Sequence, residues 1–119
     1  MDRYIIYALS TVILISLGQI LFKLSSRDLK VESIHDIIGF ILGKYLILAL
    51  IIYIISTVLW IFTLSKMDLG YSYLLLSLSY PFVLILSHLF LQEEISSYKL
   101  VSILLIVLAN AILLCGDKA

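Results

Sequence analysis

The chain has 119 residues, 63% of them hydrophobic and 13% charged, and its formal net charge is zero. Soluble domains keep apolar content near half, so this composition excludes one and points to a membrane protein. The neutral balance gives nucleic acid no electrostatic footprint. A single cysteine, Cys115, leaves neither an internal disulfide nor a Cys/His cluster for a metal.

A hydrocarbon core about 30 Å thick takes roughly 20 apolar residues in a helix. Four stretches reach that length: 4–23, 45–64, 71–91 and 98–115, the last being short unless it starts near Tyr98. The expected fold is an all-α membrane protein, a single transmembrane domain of four helices. Tyrosines near the ends of the first three stretches, and Tyr98 before the fourth, fit aromatic belts at headgroup level. The first stretch is too long for a signal peptide and no small-x-small cleavage site follows it, so it reads as a span. The connection from Ser25 to Lys44 starts polar, as SSRDLK. It then places Ile34, Ile37, Ile38 and Ile41 at helical spacing opposite Glu32, His35 and Asp36. That pattern predicts a short interfacial helix between the first and second spans, or an early, tilted start to the second; the Gly43–Lys44 break favours the former. Residues 65–69 and 92–97 read as tight turns, which make successive helices antiparallel neighbours.

With four spans, both termini share a face with the second connection, and that face carries Arg3, Lys66 and Lys118. The opposite face carries Lys23, Arg27, Lys30, Lys44 and Lys99. The positive-inside rule puts the latter in the cytoplasm, while the small bias leaves open insertion in either orientation or beside an inverted partner.

Lipid cannot solvate polar groups, so those in the spans must face protein or a water-filled cavity. Ser16, Gln19 and Lys23 share one face of the first helix. Tyr53, Ser56, Trp60 and Thr63 line the second, and Tyr73, Ser77, Tyr80 and Ser87/His88 the third. Ser102 and Asn110 are the main polar residues of the fourth. Three such stripes are expected to enclose one amphiphilic cavity. In the blander alternative the hydroxyls bond back to their own helix and the tyrosines are interface anchors. Pro81 should kink the third helix, as a hinge or as a static bend, and Gly18 admits close approach of a helix or lipid chain. No Asp or Glu lies within the first, second or fourth stretch. A proton-coupled cation exporter normally needs such a carboxylate. Lys23 either snorkels or meets a phosphate at headgroup depth, and the Glu93–Glu94 pair either opens a solvated loop or supplies a counter-charge. No nucleophile–base pair, metal cluster or phosphate-cradling loop is present, so neither enzyme activity nor a cofactor is expected.

Two runs carry a family resemblance, and together they cover about half the chain. The first, SLGQILFKLSS, holds Gly18, Gln19 and Lys23. The second, LWIFTLSKMDLGYSYLLLSLSYPFVLILSHLFLQEEIS, holds Leu59–Trp60, Gly70, Tyr73, Leu76–Ser77–Leu78, Glu93 and Ser96. The chain resembles the small four-helix branch of the drug/metabolite transporter superfamily, and is most similar to the small subunits of the aminoarabinose–phosphoundecaprenol flippase. It is more distantly similar to small multidrug resistance proteins. Against these it has Ile15 where their first-helix glutamate stands, Leu76 in place of a tryptophan, and no match to their third-helix glycine kink, for which Pro81 is a candidate stand-in.

The resemblance implies a multi-pass protein of the bacterial inner membrane that translocates an undecaprenyl-phosphate-linked (amino)sugar or similar anionic lipid. In that scheme Lys23 pairs with the phosphate, Ser16, Gln19 and Tyr73 hydrogen-bond the sugar, and Trp60 stacks on it. Ser77 belongs to the same substrate-binding set. Glu93 caps a helix end or meets an amino group, and Pro81 permits gating. The expected assembly is a homodimer, or a heterodimer with a similar small subunit, with Ala109 and Asn110 as a candidate interface. The alternatives are an exporter of polyamines or organic cations, and a non-transporting assembly subunit.

Overall fold

A computed structural model of the chain describes residues 2–27, 34–41 and 43–116. Lys30, Glu32 and Lys118 lie outside the described residues, as do the side chains of Arg3 and Ile41. The elements are α1 (Asp2–Arg27), α2 (Ile34–Ile41), α3 (Lys44–Lys66), α4 (Leu69–Leu76), α5 (Ser79–Leu91) and α6 (Ser97–Gly116), with no strand among the described residues. Four stretches are long and apolar enough to cross a membrane: Tyr4–Arg27, Lys44–Lys66, Leu69–Leu91 and Ser97–Gly116. The first runs past its expected end at residue 23. The Ser25 and Ser26 hydroxyls donate to the Phe22 and Lys23 carbonyls and sustain the last turn, and a basic residue at a helix C-terminus is favourable.

α2 is a separate helix, cut from α3 by Gly43 in an extended conformation (φ −62, ψ 143). Its Ile34, Ile37 and Ile38 are exposed, as an interfacial helix requires.

α1 is the central helix. α3 packs along it on one side, α4 and α5 on another, and α6 rests against α4 and α5. Small buried residues, Ala8, Val12 and Ser16 on α1 with Ala49, Ser56 and Thr63 on α3, permit close packing where no hydrophobic drive separates protein from lipid. Ring contacts bracket this α1–α3 seam: Tyr7 meets Phe62 edge-on at 4.7 Å, and Phe22 meets Tyr53 at 4.9 Å. A second cluster of Ala8, Met67, Tyr71 and Leu75, with Tyr4, Ile5 and Leu113 against it, pins α4 near the start of α1.

Two expectations are corrected here. The second and third spans hardly touch, because α1 lies between them, so a short turn does not make them packed neighbours. The molecule is also thin, 52 × 36 × 19 Å, closer to helices set abreast than to a ring around a cavity.

The third span breaks where Pro81 dictates. A proline ring clashes with the carbonyl four residues earlier, here that of Ser77, and the helix is interrupted at Ser77 and Leu78. The amides there tighten to i→i−3 bonds, Ser77 to Leu74 and Leu78 to Leu75, both 3.1 Å. α5 ends at Gln92 in the left-handed conformation (φ 58), with the Gln92 and Glu93 N–H groups both directed at the Ser87 carbonyl. The Arg27 guanidinium donates to the Leu91 carbonyl at 3.0 Å, tying the ends of α1 and α5. Ser96 then starts α6 by accepting the Lys99 N–H at 3.2 Å.

Candidate functional site

A groove of 540 Å³ lies between α5 and α6. Its residues change character along its length. Glu93, Tyr98 and Lys99 sit at the α5–α6 turn; Ser87 and Ser102 follow; Val83, Leu84, Ile103 and Ile106 form the deeper wall beside Tyr80. The groove is thus charged at the helix ends, hydroxylated next, and oily within. The mouth is held by local bonds. Lys99 Nζ donates to the Glu94 carbonyl at 3.0 Å. His88 Nδ1 lies 2.9 Å from the Glu93 carbonyl, which requires that nitrogen to carry a proton and spends the imidazole on the turn.

Past the groove, Ser77 lies one turn before Tyr80 and Asn110 one turn beyond Ile106, so both continue its walls. Asn110 Nδ2 donates to Ser77 Oγ at 2.9 Å and to the Ile106 carbonyl at 3.0 Å. The Ser77 hydroxyl in turn donates to the Leu74 carbonyl. Asn110 is the buried residue of α6 among those described. Its amide nitrogen is bonded within its own chain.

The remaining predicted residues fall into two contacts. Gln19 Nε2 donates to the Tyr53 hydroxyl, and the Tyr53 ring packs over Gly18. Trp60 and Tyr73 meet edge-on with ring centroids 6.2 Å apart. Tyr53 and Trp60, seven residues apart, share one face of α3 at a rise of about 10 Å. Gln19 is exposed, and Tyr73 is 64% exposed. Lys23 is exposed near the end of α1. None of Gln19, Lys23, Trp60 or Tyr73 lines the α5–α6 groove or the two smaller hollows described, one on α3 and one apolar slot between α1, α3 and α5. The stripes therefore do not close around one cavity.

Ser16 is 1% exposed, and its hydroxyl donates to the Val12 carbonyl at 2.7 Å. Thr11, Ser56, Thr57, Thr63, Ser87 and Ser102 also return their hydroxyls to their own helix. Of the predicted set, Glu93 lines the groove and Ser77 lies at its inner end, beside Pro81. Lys99 and Tyr98 join them, residues the sequence marked only as a loop charge and an interface anchor. Their periodicity with Ser102 and Ile106 was the available signal. Among the described residues no three His, Cys, Asp or Glu side chains gather as a metal site would require.

No protein-family model matches the chain, and no solved structure does. It is 32% identical, over 113 residues, to a probable 4-amino-4-deoxy-L-arabinose-phosphoundecaprenol flippase subunit, ArnF, of Proteus mirabilis strain HI4320. That match covers 87% of this chain and 85% of the relative. The relative is named as a subunit of a flippase, a transporter rather than an enzyme. Four membrane-length helices and a laterally open groove accord with that likeness, and the chain belongs to the family of small ArnF-like flippase subunits.

Proposed function

We propose that this protein is a flippase subunit of the bacterial inner membrane that moves a polyprenyl-phosphate-linked sugar, such as an aminoarabinose lipid, between leaflets. The observation that carries the reading is the α5–α6 groove, whose charged and hydroxyl-bearing end suits a sugar phosphate and whose apolar depth suits a prenyl chain. A flippase must shelter the polar head while its tail stays in the bilayer, and a groove open to the side does this. The phosphate pairs with Lys99 at the mouth, and with Lys23 on the neighbouring helix end. Glu93 meets an amino group of the sugar. Gln19, Trp60 and Tyr73 form a second polar–aromatic surface for the head, and Ser77 with Pro81 marks where the third span yields. Ser16 serves helix packing. A homologous small subunit, identical or different, completes the path.

The test is flipping of a polyprenyl-phosphate pentose in vesicles reconstituted with the protein and its co-purifying partner. Filling the groove with Ile103→Trp should lower the rate at least about tenfold, as should Lys99→Ala. Wild-type rates from folded Ile103→Trp protein would overturn the assignment.

A further inference from the structure

Two buried polar atoms have no hydrogen-bond partner among the described residues: Ser72 Oγ and Asn110 Oδ1. Ser72 is 0% exposed and Asn110 3%. Ten other serine and threonine hydroxyls in the spans, from Ser10 to Ser102, return to their own helix, whereas the buried Ser72 hydroxyl does not. Burying an acceptor without a donor is costly in protein, and more so inside a bilayer, where no bulk water repairs it. Ser72 lies in α4, ahead of the break at Ser77–Leu78, and Asn110 touches the break itself. The Ser77–Asn110 bond joins α6 to that break, at the inner end of the α5–α6 groove. Asn110 lies eleven residues beyond Lys99, about 16 Å along the helix axis, and therefore deep in the hydrocarbon zone.

We propose that Asn110, with Ser77, forms a mid-membrane binding site for a hydroxyl group. The hydroxyl donates to Asn110 Oδ1 and accepts from Asn110 Nδ2 in place of Ser77. Ser77 keeps its bond to the Leu74 carbonyl, so the exchange strands no donor on the protein. Two sources supply this chemistry: a sugar hydroxyl of a crossing glycolipid, or a water molecule entering from the groove. The sugar arm rests on the function proposed above, whereas the water arm does not. A hydroxyl fits better than a cation or an anion, because among the described residues the neighbourhood of Ser72, Ser77 and Asn110 in α4 and α6 offers neutral groups.

The test uses full-length protein in vesicles, with three probes: a polyprenyl-phosphate pentose, the same lipid with its sugar hydroxyls O-methylated, and the polyprenyl phosphate alone. Retention is read by native mass spectrometry. Water contact is read by solid-state NMR transfer from water protons to a labelled Asn110 side chain. Wild-type protein should retain the hydroxylated lipid about tenfold better than the methylated one. The preference should vanish in Asn110→Leu/Ser77→Ala, a pair that removes both partners together and so leaves no new orphan. Retention of polyprenyl phosphate alone should be unchanged. Transfer from water that is lost on adding the hydroxylated lipid identifies the sugar as occupant. If none of the lipids is retained yet the water signal at Asn110 is present in wild type, the site takes water and only the flippase reading fails. Equal retention of all three lipids, with no water transfer to Asn110, would overturn the site.

Discussion

The α1–α3 seam makes a sharp prediction at Gly18. A Cβ built there would stand 2.5 Å from Cε2 and 2.9 Å from Cδ2 of Tyr53. Carbon atoms pack at roughly 3.5–4.0 Å, so about 1 Å must be found. The Tyr53 ring cannot simply swing away, because Gln19 holds its hydroxyl and Phe22 lies against its face. Over-packing of this kind costs about 1–3 kcal/mol, and losing the Gln19 bond costs about 1 kcal/mol more. Replacing glycine with alanine inside a helix returns about 1 kcal/mol. Gly18→Ala should therefore destabilise the protein by about 1–3 kcal/mol. In a Tyr53→Ala background the clash is gone and only the propensity gain remains, so the same change should stabilise. Reversible unfolding in bicelles, run as a double-mutant cycle, measures both values and their coupling. If Gly18→Ala destabilises equally in the two backgrounds, the ring contact is not what glycine serves, and the reasoning fails.

Two further outcomes follow from the ends of α5. Arg27→Gln, which removes the charge from the Leu91 carbonyl, should weaken the tie between α1 and α5 by about 1 kcal/mol; it should speed amide exchange around residues 88–93 while leaving the middle of α1 unchanged. Gln92 occupies a left-handed conformation that costs a side-chain-bearing residue about 1–2 kcal/mol. Part of that is lost again to the freer unfolded chain, so Gln92→Gly should stabilise by about 0.5–1 kcal/mol in thermal unfolding, and Gln92→Val should destabilise.

The spans, the separate helix at Ile34–Ile41 and the break of the third span were legible in sequence, because each rests on one strong local rule. Lipid thickness sets the first, isoleucine spacing the second, and the clash of Pro81 with the Ser77 carbonyl the third. The arrangement of the helices was not legible, and the polar stripes show why. Ser16, Ser56 and Thr63 look as if they need partners across a cavity, yet a hydroxyl on a helix reaches a carbonyl three or four residues back and settles its donor there. Gln19, Asn110, Arg27 and His88 carry more donors, or donors on longer arms. All four make bonds beyond their own helix, to Tyr53, Ser77, Leu91 and Glu93. Ranking the polar residues of a span by hydrogen-bond capacity left over after local bonding, rather than by stripe, would have picked out the bridging contacts. Lys99 escaped because its place at the groove mouth depends on the Ser96 cap, a turn detail that hydrophobic periodicity does not encode.

The same accounting bears on why one chain falls short of the proposed task. Lys23, Arg27, Lys44, Lys66 and Lys99 all lie within about one turn of a helix end, so the path between the faces offers hydroxyls, phenols and amides but no described cation. Stripping a phosphate of water costs on the order of 20 kcal/mol in the idealised limit. A hydrogen bond to a charged group returns roughly 1.5–3 kcal/mol. The few donors along α5 and α6 cannot match that, and a molecule 19 Å thin leaves the groove open to lipid on its outer side. A second subunit laid over that side would add its own donors, shut out hydrocarbon and keep water around the phosphate. The need for a partner in the proposed flippase thus arises from the solvation of the head, and it bears on the groove itself rather than on a remote face.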